Sequence, residues 1–185
     1  MAQTQATTAI PLTSIDLYCR QEADTTSLAK QLAASFEHFL TRQPSSHLNI
    51  SLEGDLGAGK TTFARYLIQA MGHAGKVKSP TYTLCEPYPL TLKDQAITVH
   101  HFDLYRMRDP LEWQEAGFAE HFDVPGICLI EWPEKAEGTL PAFDIQILLS
   151  AGADENMRSI TIKALSIRGK AVVDDIQVAR QYLKS

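Results

Sequence analysis

The eight residues GDLGAGKT, Gly54 to Thr61, constrain this chain more than any other feature, because they satisfy G-x-x-x-x-G-K-[ST] at every fixed position. Glycines at that spacing let successive backbone N–H groups curl around a phosphate, and the following helix presents its positive N-terminal end. Lys60 is then placed to neutralise outer phosphates, Thr61 to offer its hydroxyl to Mg²⁺, and Thr62 to bond an α-phosphate. Average residue usage supplies such a match by chance in roughly one chain of this length in a hundred. The flanks lower that further. LNISLE, Leu48 to Glu53, reads as a buried strand, and TFARYLIQAMG, Thr62 to Gly72, as a helix ending at a glycine.

Composition narrows the rest. With 185 residues, 44% apolar and 21% charged, the chain suits a single domain over 1–185, with residues 1–14 as a loose polar lead-in. A net charge of −5 argues against a protein that grips nucleic acid through its own basic face, so any RNA link runs through a partner. Cys19, Cys85 and Cys128 lie far apart with no C-x-x-C pair, which fits a reducing cytoplasm. No export signal and no apolar run of membrane-spanning length is visible, and the six histidines show no zinc-ligand spacing. His100 and His101, being adjacent, face opposite sides of a strand.

Along the chain, a short strand is expected around Asp16 to Cys19 and a helix from Asp24 to about Phe39, with Asp24 or Thr25 as its N-cap. After Gly72 a loop leads to a strand-like run that Pro87 and Pro89 confine to an edge, then a turn at Lys93 to Gln95. Ala96 to Tyr105 reads as a strand. Asp109-Pro110-Leu111-Glu112 signals a helix starting at Pro110 and reaching Gly117. GICLIE, Gly126 to Glu131, suits a buried central strand; two more strands follow near Phe143 to Ser150 and Arg158 to Ala164. Val172, Ile176, Ala179 and Leu183 form one stripe of a final helix. Together these predict a three-layer α/β fold of the P-loop NTPase type, with a mostly parallel central sheet and a late antiparallel pair.

A nucleotide hydrolase needs a carboxylate near Mg²⁺ at the C-terminal end of a strand beside the phosphate-loop strand. Asp103 ends ITVHHF and Glu131 ends ICLI, so both qualify. SPTYTL, Ser79 to Leu84, lies where switch segments of nucleotide hydrolases sit, with Thr81 and Thr83 offering hydroxyls. Arg106 and Arg108 either touch phosphate or are solvated, and Trp132 either stacks or plugs a gap, packing being the commoner role of a lone aromatic.

GDLGAGKTTFAR, VKSPTYTL, HFDLYR-x-x-DP and ICLIEWPEK, in this order and spacing, resemble the bacterial TsaE (YjeE) family over about Asp24 to Arg158. The resemblance implies a small cytoplasmic ATPase that works with TsaD and TsaB in making N6-threonylcarbamoyladenosine at adenosine 37 of tRNA, the tRNA being reached through that complex. It implies ATP and Mg²⁺ as cofactors. Carried over by motif, the nucleotide-binding set is Asp55, Leu56, Gly57, Ala58, Gly59, Lys60, Thr61 and Thr62, with Thr81 in the switch-like loop and Arg158 near the nucleotide. Thr61 and Glu131 would hold Mg²⁺, and Lys60, Asp103 and Glu131 would form the catalytic group. Glu86 to Leu92 departs from many relatives in carrying two prolines, and the tails before Ile15 and after Gly169 match nothing diagnostic.

With no arginine finger evident, hydrolysis by the isolated chain is expected to be slow and partner-stimulated. Two other classes share the phosphate loop. A small-molecule kinase needs an acceptor pocket and an arginine-rich lid, and a non-hydrolysing binding module uses ATP only to choose a conformation.

Overall fold

Alternating apolar residues lay down seven strands, which a computed structural model describing residues 10–154 and 156–182 joins into one sheet. The strands are β1 (Thr13–Cys19), β2 (His47–Glu53), β3 (Cys85–Leu92), β4 (Gln95–Asp103), β5 (Gly126–Glu131), β6 (Ile145–Ala151) and β7 (Arg158–Ala164). The helices are α1 (Glu22–Arg42), α2 (Lys60–Ala70), the single turn α3 (Glu112–Glu115) and α4 (Ile167–Tyr182). The strand order is β1-β7-β6-β2-β5-β4-β3.

The sheet is mixed: the late antiparallel pair is present as β6–β7, but two further pairings are antiparallel where a mostly parallel sheet is expected. β2 pairs in parallel with β5 and β6, and β4 with β5, but β1–β7, β6–β7 and β3–β4 are antiparallel. Connection length decides β3–β4 and β6–β7, since a parallel neighbour needs a crossover of a dozen or more residues and these links are short. The β3–β4 link is only Lys93 and Asp94, both at positive φ (44° and 71°), the conformation that matches a two-residue hairpin to strand twist. Pro87 and Pro89 are tolerated because β3 pairs only with β4 and lies at the sheet edge.

Two helix starts differ from the sequence expectation. α1 begins at Glu22, and Asp24, read as a cap, sits inside the first turn, where its carboxylate accepts from the Arg20 N–H at 2.8 Å. The Asp109 box does form, with Leu111 N–H donating to Asp109 Oδ1 and the Arg108 and Asp109 N–H groups donating to Glu112 Oε1. Regular helix is nonetheless confined to Glu112–Glu115; Gly117, at φ 81°, turns the chain into a 3-10 segment over Phe118–Phe122. In α4 the buried stripe is Val172, Val173 and Ile176; Ala179 is exposed, and Leu183 lies outside the described residues.

Side-chain alternation along β5 divides the core. Ile127 and Leu129 pack with Phe36 of α1, Phe63 and Leu67 of α2 and Val172 of α4, whereas Cys128 and Ile130 point the other way, toward Phe102, Trp113 and Phe122. The three long helices thus share one core, and short helical turns cover the opposite one. In-register parallel pairing sets Leu52 beside Glu131 and Glu131 beside Asp103, so the strand ends bring two carboxylates next to the phosphate loop.

Candidate nucleotide site

The loop between β2 and α2 takes its shape from two glycines with distinct duties. Gly54, at φ 145°, passes so close to β6 that a Cβ there would lie 2.2 Å from the Leu149 carbonyl oxygen. Gly59, at φ 99°, is the left-handed residue from which α2 starts, and its carbonyl accepts the Phe63 N–H at 2.8 Å. The first-turn amides of α2 have no partners within the helix and mark a ready anion seat. Gly57, also left-handed at φ 81°, has open space around its Cα.

A cavity of about 390 Å³ opens over this loop, and Lys60, Thr61, Asp103, Glu131 and Trp132 converge on it. Lys60 is 5% exposed; its ammonium donates to the Gly54 and Asp55 carbonyls at 2.6 and 2.9 Å and lies 3.8 Å from the Trp132 ring centroid. Burial pushes the Lys60 pKa below the ordinary lysine value, opposed by the carboxylates of Glu131, Glu134, Asp103 and Asp55. Thr61 Oγ1 donates to Glu131 Oε2 at 2.9 Å, and Glu131 Oε1 lies 2.8 Å from His101 Nε2. Asp103 Oδ2 accepts from Ser79 Oγ and, at 3.0 Å, from Thr81 Oγ1; its Oδ1 accepts from the Tyr105 N–H at 3.1 Å. The SPTYTL loop is thereby fastened to the end of β4.

The remaining residues named from sequence surround the same space. Leu56, Gly57, Gly59, Thr62, Thr81 and Arg158 line the cavity. The Asp55 carbonyl accepts the Ala58 N–H at 3.1 Å, and buried Ala58 offers its own carbonyl to Arg158 Nε at 2.9 Å. Arg158 also stands 3.3 Å from where a Cβ on Gly59 would be, so it walls the loop. Arg106 instead stacks on Tyr82, its guanidinium carbon 4.4 Å from the ring centroid. A second cavity of about 200 Å³ adjoins the first across Gly59, Thr62 and Arg158, with Tyr66, Leu149 and Asn156 in its walls.

Sequence reasoning missed three contributors. His101 was treated only as a failed zinc ligand, although its position two residues before Asp103 puts both on one strand face. Ser79 belongs to the switch-like SPTYTL segment, whose Thr81 and Thr83 hydroxyls alone the sequence singles out, yet its own hydroxyl bonds Asp103. Trp132 packs against the Phe102 and Trp113 core as expected, and its left-handed backbone (φ 58°, ψ 50°) also turns its indole beneath the Lys60 ammonium; no local signal announces that conformation.

As a donor set, a threonine hydroxyl and a carboxylate beside a second carboxylate are hard oxygen ligands, which suit Mg²⁺. Among the described residues no group of three or more His, Cys, Asp or Glu side chains could hold a metal ion unaided. Strand, glycine loop, helix and flanking carboxylates make an α/β protein whose architecture is consistent with the phosphate-loop class. Residues 19–160 match the family described as threonylcarbamoyl adenosine biosynthesis protein TsaE, and the chain belongs to that family. It is 39% identical to the tRNA threonylcarbamoyladenosine biosynthesis protein TsaE of Haemophilus influenzae, over 86% of this chain and 96% of that protein. The protein of the same name from Bacillus subtilis is 36% identical over 69% of this chain and 76% of its own length. The crystal structure of Bacillus subtilis YdiB superimposes with a TM-score of 0.70 at 27% identity, covering 91% of this chain and 97% of that one.

Proposed function

We propose that this chain binds and hydrolyses ATP with Mg²⁺ as a component of the cytoplasmic tRNA N6-threonylcarbamoyladenosine machinery, acting with TsaD and TsaB and reaching tRNA through them. The observation that carries the reading is the convergence of Lys60, Thr61, Asp103 and Glu131 on one cavity above the loop. The relatives' shared name supports the pathway.

On this reading the fold is a three-layer phosphate-loop hydrolase. Residues Asp55 to Thr62 cradle the phosphates, and Thr61 and Glu131 hold Mg²⁺, which when bound neutralises charge on the phosphoryl oxygens. Lys60 exchanges its carbonyl and indole contacts for phosphate oxygens. Asp103 sits toward the γ-phosphate and orients the attacking water, and because the same carboxylate fastens Ser79 and Thr81, the switch-like loop responds to what occupies the site. Arg158 is committed to the Ala58 carbonyl and serves as a wall of the nucleotide seat, with the base and ribose in the adjoining cavity. Transition-state charge is then incompletely met, and hydrolysis alone is slow until a partner completes the site.

The test is ATP hydrolysis by the purified chain with Mg²⁺, alone and with TsaB, TsaD and tRNA, with Lys60→Ala in parallel. Stimulation by the partners that disappears in the variant is the expected result. No hydrolysis under any of these conditions would replace the ATPase with a nucleotide-gated binding module.

A further inference from the structure

We infer that His101 is a positioning residue for the metal-binding carboxylate of Glu131, an inference that rests on the nucleotide reading above. His101 lies on β4, is fully buried, and has its Nε2 2.8 Å from Glu131 Oε1 on the neighbouring strand β5. Glu131 is 1% exposed, and its other oxygen accepts from Thr61. The carboxylate is gripped from two sides by unlike groups. Thr61 is itself a metal ligand in this reading, so its hydroxyl oxygen is turned toward the cation when the site is filled. Because that ligation uses an oxygen lone pair, the Thr61 O–H can still donate to Glu131 Oε2, and His101 holds the other carboxylate oxygen, Oε1, in place.

The other ring nitrogen sharpens the argument. His101 Nδ1 is buried with no hydrogen-bond partner among the described residues. A proton there would be an unpaired buried donor, so the ring proton is assigned to Nε2, where it has an acceptor. Packing alone gives no reason for an imidazole here, because an apolar ring would fill the same space without leaving a polar atom unsatisfied. The bond to Glu131 supplies the reason. The Nε2–H orients the carboxylate through the oxygen that Thr61 does not hold.

Three variants test this: His101→Phe removes the donor and keeps a ring; His101→Gln can return an N–H to the Nε2 position; His101→Asn is polar but too short. The readouts are Mn²⁺ binding to the protein–ADP complex by electron paramagnetic resonance, ADP affinity in EDTA, and the melting temperature. Loss of an orienting partner is expected to weaken Mn²⁺ about 10–100-fold in the Phe and Asn variants, with Gln within about threefold of wild type and ADP affinity in EDTA changed by no more than about twofold. Should the Phe variant fail to fold, the contrast between Asn and Gln decides. Equal Mn²⁺ affinity in Asn and Gln, or wild-type affinity in Phe, overturns the inference while leaving the nucleotide reading intact. A wild-type chain that binds neither ADP nor Mn²⁺ overturns both.

Discussion

Lys60 and Trp132 are a stacked pair, the ammonium 3.8 Å from the indole centroid, and Trp132 adopts a left-handed backbone to make the contact. Such a conformation costs roughly 1–2 kcal/mol in a non-glycine residue, which the ring contact helps to offset. Phosphate binding would draw the ammonium off the ring, so ADP is expected to change Trp132 emission. The change should vanish in Trp132→Phe, leaving only Trp113, which is buried among Phe102, Phe122 and Cys128 and has no contact with Lys60 among the described residues. An undiminished response in that variant would contradict the assignment.

Gly54 and Gly57 differ in a way that stability measurements can resolve. Alanine at Gly54 drives a methyl group into the Leu149 carbonyl, whereas at Gly57 it meets open space and only the positive φ opposes it. The expected destabilisation is roughly 2–4 kcal/mol for Gly54→Ala against about 1 kcal/mol for Gly57→Ala. Urea unfolding of the two variants would show equal losses if the close approach to β6 were unimportant.

Asp144, 1% exposed, ties three segments together. Its carboxylate accepts from the Asn49 N–H at 2.9 Å, from Ser166 Oγ at 2.5 Å and from Arg168 Nε at 3.2 Å. Removing it strands the buried Asn49 N–H, while Ser166 and the half-exposed Arg168 can turn to water, and Asp144→Ala is expected to cost roughly 2–3 kcal/mol of stability. Chemical denaturation reads this directly, and a loss under about 1 kcal/mol would show that water replaces the knot without difficulty.

His100 gives the fold a pH dependence. Burial, reinforced by the neighbouring His121 and His47, lowers its pKa to about 4, and its ring stacks on His121 with centroids 4.1 Å apart. In the unfolded chain the group titrates near 6.5. As pH falls through that value the unfolded state takes up a proton that the native state refuses until about pH 4, so stability is complete above pH 6.5 and declines toward pH 4. The loss from this residue is on the order of 2–3 kcal/mol. His100→Phe should flatten the urea midpoint between pH 7 and pH 4.5; an unchanged slope would place the titration elsewhere.

Much of the site was readable because the signals are local. The phosphate loop needs glycines at fixed offsets, and the conformations of Gly57 and Gly59 follow from those offsets. Asp103 and Glu131 could be picked as acids ending strands, and Lys93-Asp94 as a turn. The Asp109–Glu112 box was legible too, but its helix stopped after one turn, because a cap fixes where a helix begins and says little about how far packing lets it run.

The sequence by itself determined the family, the loop, the strand ends that carry acids and the alternation that buries β5, since each depends on residues a few positions apart. Only the tertiary structure decided that β1–β7 and β3–β4 are antiparallel besides the late pair, that β1 closes the sheet against β7, that Trp132 lies under Lys60, and that His101 reaches Glu131. These depend on which strands become neighbours and in what register. His101 and Glu131 are 30 residues apart in the chain and meet because β4 and β5 pair in parallel, in a register that no local periodicity encodes.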